Sequence, residues 1–423
     1  MKKKYLQYSV TSTVLAVSVF VLVLVLSGCN EKNNIEPLYN PTFSNVLAPV
    51  ITSISPADSA FAGVDELTIT GSNFAVSADS MAVYFNNVKA TILSVEANKI
   101  VVKAPNLVKD TISIKISKFN ADKLSNSFQY KLISATIVFA AFKFNDTPFS
   151  LTYDKLGNAY VSYTVDSAGA GVKKIAPDGT ITDFAPKGTE ISWSSMKFGQ
   201  SGDIYAAKNL RGIWKIPEGT TPPPNSPWVG PSNGLVENIA DFDFDQNGNI
   251  WAGGPNNSVY RITQNKNVKA FSFKATVRSV RVFNNYLYVA GLKDGLESVW
   301  RFQIVNSDSL LAGEPYYDFN ATYPVGTIRG ITFSADGDLY IGTDGVEMIV
   351  KVRPDKSSQV LFSGVLNPSN KCKFNSFFWR TGDVYLYLLR HAVNLNDAST
   401  PPEAIIKVNT LNNLGGAPYY GIQ

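Results

Sequence analysis

A short phrase recurs six times between residue 151 and the C-terminus, and it constrains the fold more than any other feature of the chain. In each copy an apolar stretch enters a turn, and an apolar residue followed by Tyr or Trp leaves it. The copies are Gly157-Asn158-Ala159-Tyr160, Gly202-Asp203-Ile204-Tyr205, Gly248-Asn249-Ile250-Trp251, Asn285-Tyr286-Leu287-Tyr288 (which lacks the glycine), Gly337-Asp338-Leu339-Tyr340 and Gly382-Asp383-Val384-Tyr385. Their spacings run from 37 to 52 residues. A strand-rich repeat of roughly 40–50 residues is typical of β-propeller blades.

A second phrase follows each turn, with a basic residue beside or between apolar ones. These basic residues are Lys174, Lys215, Arg261, Arg301, Lys351 and Lys407. Upstream of the turns, innermost strands are predicted at residues 151–153, 196–198, 242–244, 280–282, 331–333 and 377–379. One unit is thus a strand, a turn, a second strand, a third strand with the basic residue, and a variable fourth strand. Six such units predict an all-β, six-bladed propeller over residues 133–423.

Together the two phrases resemble NHL-type repeats. We expect the strongly β stretch at residues 135–142 to supply the outer strand of the last blade and so to close the ring. Pairing of this stretch with the preceding domain would contradict that closure. We expect the six basic residues at solvated strand positions, in preference to a cationic ring.

Residues 48–132 have a different pattern, with period-two alternation and a turn every 8–12 residues. Pro49 to Pro56 alternates into a proline turn, Gly71-Ser72-Asn73-Phe74 ends a strand, and Asn86-Asn87 joins a hairpin. This pattern predicts a small β-sandwich. The order of the motifs resembles an IPT/TIG domain, an immunoglobulin-like module. The resemblance implies a spacer or interaction module, without catalytic residues.

The N-terminus combines Lys2, Lys3 and Lys4 with an apolar run to Leu26 and then Ser27-Gly28-Cys29. This arrangement predicts a secretory signal over residues 1–28. Leu26-Ser27-Gly28-Cys29 resembles a bacterial lipobox, which implies lipidation of Cys29 and attachment to the membrane through that lipid. Residues 29–47 then form the lipidated cysteine and a tether. The alternative is a plain cleaved signal that leaves Cys29 as a free thiol.

Composition narrows the partners further. Without the three N-terminal lysines, Lys and Arg number 38 − 3 = 35 against 34 acidic residues, so no nucleic-acid partner is indicated. With Cys29 lipidated, Cys372 has no partner for a disulfide, and its aromatic surroundings predict a buried, inert thiol.

Function is expected on the propeller face opposite the glycine turns, where variable loops and the entries to the inner strands meet. Carbohydrate sites use aromatic platforms with flanking amides and Arg. The candidates for ligand binding are Tyr163, Trp193, Asn209, Arg211, Trp228, Asp241, Asn256, Arg278, Arg329 and Asn375. The longest insertions on the propeller, residues 222–231 and 390–402, are candidates for a pocket rim.

Catalysis is not favoured by the residues that face the predicted tunnel. Propellers of the gluconolactonase and paraoxonase type hold Ca²⁺ with several carboxylates and amides, whereas the matching column here is Ser150, Ser195, Asp241, Ser279, Gly330 and Ser376. Two positions on, Lys197, Asp243 and Arg281 are expected to form a structural ion-pair ladder. A single histidine, His391, cannot build a metal site by itself. We therefore expect no catalytic residues, no metal and no cofactor.

Lipoproteins that join an IPT/TIG spacer to an NHL-like propeller resemble Bacteroidetes cell-surface proteins, which often accompany outer-membrane glycan-uptake systems. The resemblance implies a monomeric, surface-exposed outer-membrane lipoprotein that captures a glycan without catalysis. A scaffold that binds another envelope protein and a metal-dependent lactonase or lyase are the alternatives.

Overall fold

The computed structural model describes residues 46–188, 192–223, 225–306, 308–394 and 396–421. The expected signal peptide, Cys29 and nearly all of the tether lie outside these residues. Within the described ranges, no helix is long and apolar enough to cross a lipid bilayer.

The N-terminal domain is a sandwich of two sheets, as its alternating pattern predicts. The first sheet has the order β1 (Val50–Ser55), β3 (Glu66–Ser72), β7 (Lys99–Lys103), β6 (Thr91–Glu96). The second has the order β2 (Ser59–Phe61), β9 (Phe128–Ile133), β8 (Lys109–Lys118), β4 (Met81–Phe85), β5 (Val88–Lys89). A 3₁₀ turn, Ala78–Ser80, precedes β4. The inward residues of both sheets, among them Leu67, Val83 and Ile100, form one apolar core.

The Gly71-Ser72-Asn73-Phe74 turn is explained by close packing. A Cβ on Gly71 would lie 1.9 Å from the Val50 carbonyl oxygen, so only glycine fits. Asn73 has a left-handed φ of 62° and donates from Nδ2 to the Ala48 carbonyl at 3.0 Å. Phe74 is thereby turned into the sandwich core, where it is buried. The turn thus fastens the start of the domain to its core.

The remaining strands form six blades across the described part of the propeller. Blade 1 contains β11 (Asp146–Tyr153), β12 (Ala159–Val165), β13 (Ala168–Ile175) and β14 (Ile181–Ala185). Blade 2 contains β15 (Ser195–Phe198), β16 (Ile204–Ala207) and β17 (Trp214–Ile216). Blade 3 contains β18 (Asp241–Phe244), β19 (Ile250–Gly253), β20 (Pro255–Ile262) and the first half of β21 (Val268–Phe283).

Blade 4 takes the second half of β21 and adds β22 (Tyr286–Lys293), β23 (Leu296–Asn306), β24 (Ser309–Leu310) and β25 (Glu314–Asp318). Blade 5 contains β26 (Ile328–Phe333), β27 (Leu339–Thr343), β28 (Ile349–Val352) and β29 (Ser358–Val360). Blade 6 contains β30 (Cys372–Trp379), β31 (Tyr385–Ala392), β32 (Ala404–Asn409) and β10 (Thr136–Ala141). Two short helical turns, Pro231–Asn233 and the α-helical α1 (Phe319–Thr322), complete the described elements.

The ring closes as the sequence predicts. The innermost strands contact one another in the order β11, β15, β18, β21, β26, β30 and back to β11. Strand β10 pairs antiparallel with β32, from Thr136 opposite Val408 to Ala141 opposite Ala404. The stretch before the first blade therefore supplies the outer strand of the last one, and the predicted closure is confirmed.

The blades depart from the expected four-stranded unit in two places. Blade 2 has three named strands among the described residues, and the chain after β17 carries Pro217, Pro222, Pro223 and Pro227, which lack the N–H that a ladder needs. Between blades 3 and 4, β21 runs for 16 residues and serves both blades without a loop.

In the fourth copy of the repeat, two Asn residues take the place of the turn glycine. Asn284 and Asn285 form a two-residue hairpin between Phe283 and Tyr286, with φ of 48° and 61°. Asn tolerates the left-handed region better than most residues, so the turn keeps its shape.

In blades 1 and 3, hydrogen bonds to an Asp of the turn account for the Asn and the aromatic residue of the repeat. In blade 3, Asp245 accepts from the Asn249 backbone N–H and the Trp251 indole N–H, both at 2.9 Å. In blade 1, Asp154 accepts from the Asn158 backbone at 2.9 Å and the Tyr160 hydroxyl at 3.0 Å. In these two blades the aromatic residue therefore connects the second strand to its own turn.

Five of the six basic residues lie directly across the ladder from the aromatic residue of their own repeat phrase, as in Tyr205 opposite Lys215 and Tyr340 opposite Lys351. The sixth, Lys407, lies opposite Tyr387, two residues beyond the phrase. Lys215 and Lys351 also pair with an Asp of the turn at 2.6 Å, Asp203 and Asp338 respectively. The expectation of solvated positions is wrong for Arg261, which is buried and ion-paired with Asp308. The basic residue is a structural partner of the repeat.

Candidate functional site

The end of the tunnel on the predicted face is narrow and filled with internal hydrogen bonds. Asp241, at the start of β18, accepts from the Ser195 hydroxyl at 2.7 Å and from the Ser279 hydroxyl at 3.0 Å. The Lys197 ammonium lies 3.2 Å from the same carboxylate. The serine column found in the sequence thus links neighbouring blades, and the cavity left at this mouth has a volume of about 70 Å³.

The charged residues around this mouth are also partnered. Arg278 donates two hydrogen bonds to Glu297, at 3.0 and 2.6 Å, and Arg329 donates to Asp344 at 2.6 Å. Asn375 donates from Nδ2 to the Phe149 carbonyl at 2.8 Å. These side chains are held by the protein itself, and little space remains for a ligand.

One layer deeper, the predicted ion-pair ladder is confirmed. Arg281 donates to Asp243 at 2.6 Å, and Lys197 lies 3.9 Å from the other oxygen of the same carboxylate. Asp243 is fully buried and also accepts from the Val282 backbone N–H at 2.8 Å. The ladder joins blades 2, 3 and 4 at the centre of the ring.

Residues 410–421, here called the C-terminal segment, cross the opposite end of the tunnel on the glycine-turn face. Tyr419 donates its hydroxyl hydrogen to the Phe198 carbonyl at 2.6 Å, and its backbone N–H donates to the Thr381 hydroxyl at 3.0 Å. Arg281 donates to the Pro418 carbonyl at 3.0 Å. The segment therefore closes the tunnel against the ion-pair ladder.

A cavity of about 550 Å³ lies beside this segment, at the junction of blades 1 and 6. Four aromatic rings contribute to its lining among the described residues: Tyr153, Phe378, Tyr419 and Tyr420. The polar lining consists of Asp154, Lys155, Arg380 and Thr381, which belong to the turns of blades 1 and 6. Here a large, mostly aromatic cavity meets converging polar groups, as small-molecule sites do.

The polar groups that line this cavity differ in how many of their hydrogen-bonding atoms remain available to a ligand. Asp154 is saturated by its own turn, because it also accepts from Asn158 Nδ2 at 2.6 Å. Arg380 is held by Asp383 through Nε and Nη2, at 2.9 and 2.7 Å. The Tyr153 hydroxyl has no hydrogen-bond partner within the described residues, and burial raises its pKa well above the ordinary value. We conclude that the cavity offers donors more than acceptors.

The structure brings four of the ten candidate residues together and scatters the others. Asp241, Arg278, Arg329 and Asn375 line the narrow mouth. The prediction of Trp193 as an exposed platform is wrong, because Trp193 is 1% exposed and its ring centre lies 5.7 Å from that of Trp214. Asn256 is also buried, and its amide donates to the Asn238 carbonyl.

The remaining candidates lie outside both cavities. Tyr163 is half-buried against Phe142, and Trp228 packs edge-on against Tyr205 at 5.0 Å. Asn209 and Arg211 are exposed in the loop after β16. Asn209 has a left-handed φ of 57°, so its role there is to turn the chain.

Cys372 and His391, the free cysteine and the only histidine of the propeller sequence, both lie in blade 6. Cys372 is buried, as predicted, and burial raises the pKa of its thiol. His391 lies with Nδ1 3.2 Å from Glu403 and lines neither cavity. Across the described ranges, no group of three or more His, Cys, Asp or Glu side chains is arranged to hold a metal ion.

Sequence reasoning missed the larger cavity because it placed function on the opposite face. A signal was present in Tyr419-Tyr420, two aromatic residues beyond the last strand that no blade required. Nothing in the repeat indicated where those residues would pack, since their partners, such as Phe198, are more than 200 residues away in sequence.

Residues 49–132 match the family described as the IPT/TIG domain. No curated protein matches the chain in sequence.

Solved structures resemble it at low identity. A putative phosphatase from Bacteroides thetaiotaomicron is 11% identical with a TM-score of 0.53, and the match covers 87% of this chain and 98% of that one. An auxiliary nutrient binding protein from the same organism is 11% identical, with 88% and 98% covered and a TM-score of 0.48. A gluconolactonase from Xanthomonas campestris is 10% identical, with 65% and 88% covered and a TM-score of 0.47.

At such identities the phosphatase likeness shows the fold alone, and it spans both parts of the chain. Residues 49–132 are an IPT/TIG domain, and the chain continues into a six-bladed β-propeller.

Proposed function

We propose that this protein binds a carbohydrate, without catalysis, in the cavity at the glycine-turn end of the propeller. One observation carries the proposal: a cavity of about 550 Å³ combines aromatic rings with convergent polar side chains. Its volume lies within the range of roughly 300–1,000 Å³ that small-molecule sites occupy. Sugar rings present apolar faces to aromatic side chains and hydroxyl groups to polar ones, so this combination suits them.

The proposed site lies on the glycine-turn face of the propeller, whereas the variable loops indicated the opposite face. The mouth at Asp241 has a volume of about 70 Å³, which is room for a few water molecules and not for a sugar ring. Tyr420 is the best candidate for a platform, because it is half-buried and its hydroxyl is fixed by Gln246 at 3.3 Å.

The absence of catalysis is part of the proposal. The only histidine of the sequence is paired with Glu403. Asp154, the only carboxylate among the described residues that line the cavity, is saturated by its own turn. A general acid or base needs a carboxylate or imidazole within reach of the ligand. Metal analysis of protein purified without chelator tests the alternative of a lactonase or lyase: a stoichiometric Ca²⁺ would contradict a non-catalytic role.

We also propose that the protein is a monomer held at the bacterial cell surface by lipid on Cys29, with the sandwich as a spacer. Labelling of expressing cells with radioactive palmitate tests the anchor. Label is expected in the natural chain and absent from Cys29→Ser. Equal labelling of the two would contradict the anchor and leave the binding site unaffected.

A glycan array probed with the purified chain tests the main proposal. Binding is expected for the natural chain and for Tyr84→Ala, a change on β4 of the sandwich at a residue that does not line the cavity. Tyr420→Ala should lose most of the signal while still unfolding in one cooperative transition above the temperature of the assay. An array without any signal would favour the alternative, in which the propeller binds another envelope protein.

A further inference from the structure

A second cavity, of about 470 Å³, adjoins the proposed site and shares Arg380 with it. The turn between β11 and β12 runs along both: Asp154 and Lys155 line the first cavity, and Leu156 and Gly157 line the second. The closing strand β10 forms the far wall through Ile137, Val138 and Phe139. Together the two cavities form a groove across the junction of blades 1 and 6, here called the junction groove.

The charges along the junction groove are unbalanced. Its cationic residues are Lys155 in the first cavity, Arg380 between the two, and Lys407 in the second. Asp154 is the only carboxylate in the two linings as described, and its oxygens already accept from Asn158 and Tyr160. An approaching anion therefore meets two lysines and an arginine whose guanidinium is only partly engaged by Asp383.

The cations are also available to a ligand. Lys155 is exposed, and neither it nor Lys407 has an ion-pair partner among the described residues. Lys407 lies 4.3 Å from the ring centre of Tyr385, which orients its ammonium without neutralising it. Arg380 uses Nε and Nη2 for Asp383, while Nη1 makes no hydrogen bond within the described residues and lies beside Gly157. A Cβ at Gly157 would come within 2.6 Å of that nitrogen, so glycine keeps the groove open there.

We propose that the junction groove binds an acidic oligosaccharide, whose carboxylate or sulfate groups lie against Lys155, Arg380 and Lys407. This rests on the proposed carbohydrate function and names the class of ligand. One end of the ligand occupies the aromatic cavity beside Tyr420, and the chain crosses Arg380 into the second cavity. The apolar side chains of Ile137, Val138 and Leu156, each more than half exposed, contact the sugar faces there.

The test uses an array in which uronate-bearing and sulfated oligosaccharides are printed beside their carboxyl-reduced and desulfated counterparts. Acidic members should bind, and their neutral counterparts should bind at least tenfold more weakly. Binding of the acidic members should also weaken as NaCl rises from 50 to 500 mM, because salt screens partly exposed charges.

The protein is then titrated with the dimer and with the tetramer of the acidic sugar that binds best on the array. Comparison of the two lengths shows which part of the ligand lies in which cavity. Lys155→Gln should weaken both lengths about five- to tenfold, whereas Lys407→Gln should weaken the tetramer alone. Lys274→Gln removes the same charge from an exposed position on β21 and should change neither. Lys407→Arg keeps the charge and should restore tetramer binding, which separates loss of charge from loss of packing against Tyr385.

Equal binding of neutral and acidic members would overturn the proposal that the junction groove binds an acidic oligosaccharide, and so would a tetramer affinity that is the same for Lys407→Gln and Lys274→Gln. Either result would leave the proposal of carbohydrate binding in place. Binding of no oligosaccharide at all would overturn both proposals.

Discussion

The Tyr419 hydroxyl donates a hydrogen bond to the Phe198 carbonyl at 2.6 Å, and this contact fastens the C-terminal segment across the tunnel. Tyr419 is 7% exposed and packs edge-on against Phe378 at 5.3 Å. Since Phe198 ends the inner strand of blade 2 while Thr381 and Phe378 belong to blade 6, one residue joins two blades that are not neighbours. The end of the chain is therefore part of the propeller's core.

Tyr419→Phe should lower the free energy of unfolding of the propeller by about 1–3 kcal/mol, because the buried Phe198 carbonyl would lose its partner. All six tryptophans lie between residues 193 and 379, so tryptophan fluorescence during urea unfolding reports on the propeller. Tyr84→Phe, in the sandwich, is the matched control and should leave this transition in place. An unchanged midpoint for Tyr419→Phe would show that the segment does not hold the ring.

The ion-pair ladder should be costly to break from one side. Asp243→Ala leaves the Arg281 guanidinium buried without its partner, and we expect a loss of about 3–5 kcal/mol. Replacing both, as Asp243→Leu with Arg281→Met, should cost less than Asp243→Ala alone, because no buried charge is left unpaired. Asp110→Ala, which removes the exposed partner of Lys131, serves as the control and should have little effect. A double variant that is less stable than Asp243→Ala would contradict this account.

Stability should fall at alkaline pH. Burial raises the pKa of Tyr153 and Tyr419 well above the ordinary value of 10.0, and raises that of Tyr387 to about 12. Above about pH 10 the unfolded chain loses these protons while the folded chain keeps them, so each such residue lowers the free energy of unfolding by up to about 1.4 kcal/mol per pH unit. The loss due to Tyr387 develops between pH 10 and about pH 12.

Tyr153→Phe checks this directly. Its unfolding free energy should be unchanged or higher at pH 8, because the buried Tyr153 hydroxyl has no partner within the described residues. Between pH 10 and 11.5 its stability should fall less steeply than that of the natural chain, as measured by urea titration at each pH. Parallel curves would show that Tyr153 ionises normally in the folded protein.

Ring closure by β10 should contribute measurably to stability. Phe139 packs against Tyr153 at 6.2 Å and Tyr387 at 5.8 Å, so it fixes the closing strand to blades 1 and 6. Phe139→Ala should cost about 1–3 kcal/mol, less than a fully buried Phe, since the ring is half-buried. Val138→Ala, on the exposed side of the same strand, should change stability by less than about 0.5 kcal/mol. Equal effects of the two changes would mean that β10 contributes nothing specific to closure.

The sequence predicted what local periodicity encodes. The turn phrase located the inner strands from β11 to β30, and the alignment of its copies identified the Lys197, Asp243 and Arg281 layer. These predictions succeeded because the local pattern repeats along the chain. In blades 1 and 3, for example, Asp154 and Asp245 accept hydrogen bonds from the backbone N–H groups of Asn158 and Asn249. The missing glycine in blade 4 was no obstacle, since Asn284 and Asn285 adopt the same left-handed backbone.

What the sequence did not predict depends on contacts between distant segments. The sequence pattern around an aromatic residue that precedes a strand is the same whether the residue is exposed or buried. The burial of Trp193 depends on its contact with Trp214, 21 residues later, which no local pattern indicates. The C-terminal segment has no periodicity, and it approaches blade 6 through Gly416, where a Cβ would lie 2.4 Å from the Arg380 carbonyl oxygen. The larger cavity exists because of that segment, so it could not be predicted from the repeat.

The closing strand has a mechanical consequence. Only Ser134 and Ala135 separate β9, the last strand of the sandwich, from β10. A force that is transmitted along the chain from the sandwich therefore reaches β10 before the other strands of the propeller. That strand is held to the ring by its ladder with β32, and it also forms one wall of the junction groove. If the N-terminus is anchored and a ligand is bound, tension between the two would therefore act mainly on the pairing of β10 with β32 that closes the ring.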